Sequence, residues 1–115
     1  MTFLETKLKG CFIIEPAIFH DDRGYFMESY NEKKFSQIVG QQVHFVQDNQ
    51  SFSTKGVLRG LHYQCGEFAQ AKLVRVLQGE VLDVAVDIRP DSATYGQYEA
   101  VILSAENQKQ FFVPR

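Results

Sequence analysis

Along the second half of the chain, apolar and polar residues alternate with period two. In KLVRVLQGEVLDVAVDIRP, Leu73, Arg75 and Leu77 fall on one face and Lys72, Val74 and Val76 on the other. After Gln78-Gly79, Leu82, Val84, Val86 and Ile88 alternate with Val81, Asp83, Ala85, Asp87 and Arg89. Alternation of this kind marks strands with one buried face, and the central glycine marks a turn, so the segment predicts a hairpin. Asp83 and Asp87 are then read as solvent-face strand residues. Pro90-Asp91-Ser92 predicts the next turn. QYEAVILSAENQKQFFVP predicts two further strands separated by Ala105-Glu106-Asn107.

Upstream, CFIIEPAIFHDDRGYFMESY predicts two strands joined at HDDRG, where Gly24 is free to take positive φ. NEKKFSQIVG predicts the one helix. Asn31 can cap it, Phe35 and Ile38 share a face, and Gly40 can end it. HFVQDNQSFS and GVLRGLHYQ return to strand. Short strands at roughly ten-residue spacing predict an all-β, mainly antiparallel sandwich or barrel with one short helix. The 115 residues suit a single domain, and FFVPR still reads as strand where the sequence stops. We therefore expect a domain over residues 1–115 that is incomplete at its C-terminal end.

Composition changes this picture little. The chain is 44% hydrophobic and 23% charged, enough to bury a core, and ten Phe with five Tyr favour strands. A formal charge of -2 argues against a nucleic-acid partner, which selects a clustered basic face. The N-terminus MTFLETKLKG lacks the basic and apolar regions of a signal peptide, and no apolar run reaches membrane-spanning length. A cytoplasmic protein without membrane contact is expected. Cys11 and Cys65 have no CxxC spacing, which argues against a zinc site; they read as two free, partly buried thiols, with one disulfide as the alternative.

Candidate chemistry gathers in GVLRGLHYQ. Gly56, five residues, then His62 opens the cupin pattern G-x5-H-x-H-x(3,4)-E-x6-G. A metal-binding cupin sets two His and one Glu on adjacent strands facing the barrel interior. Here Gln64 takes the second His position. Lys72, separated from Gly79 by six residues, takes the Glu position. Gln is a poor ligand and an ammonium repels a cation, so the frame persists without its metal site. A lone histidine on a strand is otherwise a hydrogen-bonded structural residue. Beside Lys72 it also suits proton abstraction next to a carbonyl. Imidazole titrates near neutral pH, and an ammonium can hold a developing enolate oxygen. Arg59 lies on the opposite face of a regular strand, and a bulge at Gly60 would turn both side chains toward one cavity.

RGLHYQ followed by QAKLVRVLQGEVLDVAVDIR resembles the dTDP-4-dehydrorhamnose 3,5-epimerase family, as do DDRGYFMESYN, FVQDNQS, SATYG and FFVP, in order and spacing. The resemblance implies a metal-free cupin, or jelly roll, without a cofactor. It implies an enzyme that inverts C3 and C5 of dTDP-4-dehydro-6-deoxyglucose, acting as a homodimer in dTDP-rhamnose biosynthesis. By the same resemblance His62 is the base and Lys72 holds the C4 enolate. Arg23 and Arg59 bind the nucleotide diphosphate. Phe26 and Glu28 lie near the base and sugar, reaching across a dimer, and Gln47, Asp48 and Asn49 line the site. The family's tyrosine acid, the carboxylate that orients the histidine and a GFAHGF-like segment fall beyond Arg115. Two alternatives stay open on the residues alone: a catalytically incomplete sugar-nucleotide-binding cupin fragment, and a related single-centre epimerase or ketoisomerase.

Overall fold

The structure is a computed structural model and describes residues 1–40 and 43–115. It separates into two compact units, one formed by 1–30 and 71–115, the other by 31–70. Among the described residues the first unit holds all the strands: β1 (Thr2–Glu5), β2 (Phe12–Glu15), β3 (Ile18–Asp21), β4 (Gly24–Met27), β5 (Lys72–Arg75), β6 (Glu80–Val86), β7 (Tyr98–Ser104) and β8 (Gln110–Val113). They form a four-stranded sheet in the order β1-β2-β8-β5 and two hairpins, β3-β4 and β6-β7. Every pairing is antiparallel. The all-β expectation with one short helix holds.

Partners differ from those the sequence predicts. The turn after β5 is present, with Gly79 at φ 81°, yet β5 and β6 do not pair. Lys72 sits opposite Val113 of β8, and Glu80 opposite Ser104 of β7. The chain crosses from one sheet to the other at this turn. β7 and β8 likewise part at the turn through Asn107, whose side chain and backbone bond reciprocally with Ser104 (3.1 and 2.9 Å). Alternation specifies which residues share a face, not which strand lies alongside. The first predicted hairpin resolves into three strands, broken at Pro16-Ala17, and β1 was not anticipated.

The core lies between the four-stranded sheet and the β6-β7 hairpin. Leu8, Cys11, Val101, Leu103 and Phe111 are buried there, with Ile13, Val74, Val76, Ala85 and Val113 packed against them. This sets the phase of β6. Ala85 faces the core, so Asp83 and Asp87 point the same way, while Leu82 (65% exposed) and Ile88 (48%) face outward. The expectation that Asp83 and Asp87 lie on the solvent face is overturned. Leu82, Val84, Val86 and Ile88 make one face of LDVAVDI much the more apolar, so the pattern alone selects the wrong face, and a one-residue change of phase moves every side chain.

Asp87 can be buried because its oxygens are satisfied. Arg89 donates from Nε at 2.9 Å and from Nη2 at 3.0 Å, and the hydroxyls of Ser92 and Thr94 each donate at 2.6 Å. Arg89 also reaches the Lys9 carbonyl from Nη1 at 2.8 Å, tying the turn after β6 to the loop before β2. The Arg89 guanidinium, with the two hydroxyls, holds the Asp87 carboxyl far below its ordinary range. A depressed carboxyl stabilises the fold above the ordinary carboxylate range, and that contribution is lost as pH falls below it. Asp87→Asn keeps the shape but removes the charge. It is expected to cost about 2 kcal/mol at pH 7, by analogy with lost hydrogen bonds to charged groups. The deficit should shrink below about pH 4, where an unfolded-state aspartate is protonated; thermal unfolding across pH measures both.

Cys11 and Cys65 are free, as expected. Cys65 is exposed, whereas Cys11 is buried and its thiol is pushed up to about 11, chiefly by desolvation. In the second unit, α1 (Glu32–Val39) starts at Asn31, whose side chain accepts from Lys34 N at 3.1 Å, and stops at Gly40 with φ 77°. Such a cap contributes about 1 kcal/mol. Phe35 is buried and packs edge-on against Phe45, while Ile38 is about half exposed. The shared apolar face is thus narrower than predicted.

Candidate functional site

The residues singled out by sequence fall in both units. In the first, Arg23 sits at the tip of the β3-β4 hairpin. Its backbone N–H bonds to Asp21 Oδ1 at 2.8 Å, and Nη2 reaches Oδ2 at 2.6 Å. These bonds hold the Asp21 carboxyl below its ordinary value, first through the guanidinium and then through the backbone. The Arg23 side chain remains 90% exposed, so its outer donors face solvent and can meet an anion. Phe26 stands opposite Phe19 across the hairpin, and both rings are largely exposed. Asp21, Arg23, Gly24, Tyr25 and Phe26 line a shallow surface depression of about 250 Å³. Glu28 follows β4 and is half-buried.

Lys72 opens β5, an edge strand of its sheet. Its ladder partner is β8, with Lys72 opposite Val113. By alternation Lys72 shares a face with Val74, which packs on the core, and its ammonium lowers the otherwise raised pKa of Asp83. The inward setting of Asp83 was missed by sequence reading, because Leu82, Val84, Val86 and Ile88 make the opposite face the more apolar.

In the second unit, residues 43–65 carry no strand among those described, which corrects the strands predicted for HFVQDNQSFS and GVLRGLHYQ. Gly56 (φ 87°) and Gly60 (φ 115°) take conformations that interrupt extended backbone, and Val57 N closes a turn onto the Thr54 carbonyl. Without a ladder there is no bulge at Gly60, the device expected to turn Arg59 and His62 together. Arg59 instead donates to Ser53 Oγ at 2.8 Å and to the Phe52 carbonyl at 3.1 Å. These two bonds order the guanidinium while leaving it exposed. Gln47 Nε2 bonds to Asn49 Oδ1 at 3.1 Å, and Asp48 between them is exposed.

His62 is exposed, and no side-chain hydrogen bond to it is found among the described residues. A Cβ on Gly60 would lie 3.7 Å from His62 Nδ1, so the glycine leaves room beside the ring. No group of three or more His, Cys, Asp or Glu side chains that could hold a metal occurs among the described residues.

The β-sheets of the first unit are those of a cupin-like fold, shared with solved epimerases of known structure. The family model for dTDP-4-dehydrorhamnose 3,5-epimerase matches residues 5–115, and the chain belongs to that family. A curated relative from Shigella flexneri, a dTDP-4-dehydrorhamnose 3,5-epimerase, is 56% identical over 114 residues, covering 99% of this chain and 63% of the relative. The crystal structure of the enzyme of that name from Elizabethkingia anophelis NUHP1 superposes with a TM-score of 0.96 at 59% identity, covering 100% of this chain and 63% of that one. A dTDP-6-deoxy-D-glucose-3,5-epimerase from Legionella pneumophila, solved with dTDP-4-keto-L-rhamnose, gives a TM-score of 0.93 at 53% identity, covering 99% and 60%. The chain thus spans somewhat under two thirds of the length of these relatives.

Proposed function

We propose that this chain carries the base side of a 3,5-epimerase acting on dTDP-4-dehydro-6-deoxyglucose, within a single cupin-type domain to which residues 1–115 belong. The observation that carries the reading is the family match across residues 5–115, which includes both His62 and Lys72. The exposed imidazole and the ammonium are the groups that the chemistry requires.

A carbon α to a ketone is a weak acid, so its proton leaves readily only if the enolate is stabilised as it forms. His62 takes the proton from C3 or C5. The electron pair of the C–H bond moves to the C4 oxygen, where Lys72 Nζ holds the negative charge. An acid on the other face of the sugar returns a proton to the same carbon, and the centre inverts. Arg23 and Arg59 grip the diphosphate and so orient the sugar over His62. Phe26 offers an aromatic face to the nucleotide base, and Glu28 lies near the base and sugar. Gln47, Asp48 and Asn49 line the pocket as polar partners.

The reading includes a homodimer, supported by the exposed Phe19 and Phe26 pair on a two-stranded hairpin that has a free apolar surface. It includes action in the cytoplasm, where nucleotide sugars are made; no helix among the described residues is long and apolar enough to cross a membrane.

The test is incubation of the complete gene product with dTDP-4-dehydro-6-deoxyglucose in D₂O. Deuterium is expected at both C3 and C5. Label at one carbon would reduce the protein to a single-centre epimerase, and no label at either would end the enzyme reading.

A further inference from the structure

β3 and β4 carry Arg23 and Phe26 at and beside their turn, yet among the described residues they ladder only with each other. A lone two-stranded hairpin is marginally stable in water, so its direction depends on what it rests against. Its two faces differ. Phe19 and Phe26 pair on the exposed one. Ile18 and Met27, both half-buried, pair on the other, where His20 stands opposite Tyr25 with ring centroids 6.0 Å apart. Two side-chain amides reach this hairpin from the far end of the chain. Gln110, buried in the central strand β8, donates from Nε2 to the Ser29 carbonyl at 2.8 Å, just past the end of β4. That bond fixes the base of the hairpin. Gln108, in the turn between β7 and β8, donates from Nε2 to the Tyr25 hydroxyl at 3.0 Å and to the Ala105 carbonyl at 2.7 Å. An amide NH₂ has two donors, so both bonds form together. One locks the side chain to its own turn, and the other grips the outer half of the hairpin, one residue from Phe26 and two from Arg23. Gln108 stands at φ 55°, a conformation that glycine takes more readily. A glutamine there is explained by the use made of its amide.

We propose that Gln108 is a positioning residue for nucleotide binding: through the Tyr25 hydroxyl it holds the β3-β4 hairpin in the direction that presents Arg23 and Phe26 to the nucleoside diphosphate. This rests on the nucleotide-binding role given to Arg23 and Phe26 above. Gln108 touches no substrate in this account. It acts on the fraction of molecules whose hairpin is aligned before the nucleotide arrives, and apparent affinity falls in proportion when that fraction falls. The division of labour follows from place. Gln110 is buried in β8 and holds the root of the hairpin, whereas Gln108 and Tyr25 meet at the surface and hold the part that carries the anion-binding side chain. A guanidinium at a hairpin tip grips a diphosphate well only if the tip does not wander, because ordering it on binding subtracts from affinity.

The experiment compares wild type, Gln108→Gly, Tyr25→Phe, the Gln108→Gly/Tyr25→Phe double variant and Arg23→Ala in the complete gene product, read by kcat, KM and the Kd for dTDP. Glycine suits φ 55°, so the thermal midpoint of Gln108→Gly should stay close to that of wild type. Its KM and its Kd for dTDP are expected to rise together by roughly three- to tenfold, the scale of one hydrogen bond's net contribution. The kcat should change by less than about twofold, because bound substrate selects the aligned hairpin and then meets the same catalytic groups. Tyr25→Phe should give the same split. In the Tyr25→Phe background, Gln108→Gly should add less than about twofold to KM, since the two groups share one bond. Wild-type KM in Gln108→Gly would overturn the inference, as would equal rises in both backgrounds or a rise that follows a lowered thermal midpoint. An inactive wild type, or wild-type KM in Arg23→Ala, would overturn the functional reading and the inference with it. A raised KM in Arg23→Ala beside wild-type KM in Gln108→Gly would overturn the inference alone.

Discussion

His62→Ala is expected to abolish deuterium incorporation at C3 and C5 together. The loss in kcat should be roughly 10²–10⁴-fold, the contribution of a positioned general base. Both centres should fail in parallel, since both protons lie α to the same ketone and the reading gives one base to both. KM should change little, because the imidazole contributes to proton transfer and not to gripping the diphosphate. The fold should tolerate the change. His62 is exposed, lies outside any helix or strand, and makes no side-chain hydrogen bond among the described residues, so nothing buried loses a partner. A variant that unfolds at the wild-type temperature and exchanges no α-proton would establish the base. Retained exchange at either carbon would refute it.

Lys72→Ala is expected to have the second largest effect, about 10²–10³-fold in kcat, comparable to removing one donor to a developing oxyanion. The loss should fall on the same step as that of His62→Ala. Without the ammonium the enolate rises in energy, and proton removal slows even though the base is intact. Lys72→Arg should recover only part of the activity. Its planar, forked guanidinium does not place a point charge where Nζ stood. Lys72 begins the edge strand β5 and its side chain is exposed, so the alanine variant should fold. Direct measurement of α-proton exchange separates this outcome from a defect in binding: a raised KM with unchanged kcat would assign Lys72 to substrate binding instead.

The two kinds of prediction, catalytic at His62 and Lys72 and structural at Asp87, show where the chain was legible. The capped helix was readable because its signals are local. Asn31 bonds to Lys34 N and Gly40 takes a left-handed φ, and neither depends on distant residues. The identities of His62, Lys72 and Arg59 were legible as chemistry, through residue type and spacing within the cupin frame. Their settings were not. Arg59 turns to Ser53 and Phe52, residues six and seven positions back, through a loop whose path depends on the φ angles of Gly56 and Gly60. The glycines signalled an interruption, but not where the chain would go after it.

By itself the sequence determined the strand-rich composition of the fold, the single helix, most turn positions, the family and the chemical types of the candidate site. These follow from local backbone preference, side-chain alternation and side-chain reactivity. Only the tertiary structure decided that β5 pairs with β8 and β6 with β7, and that Asp83 and Asp87 face inward while Leu82 and Ile88 face solvent. Partner and phase are set by the packing of the whole set of strands. Alternation makes the face of Leu82, Val84, Val86 and Ile88 the more apolar, yet the structure turns the other face inward, where the network with Arg89, Ser92 and Thr94 satisfies the buried Asp87 charge.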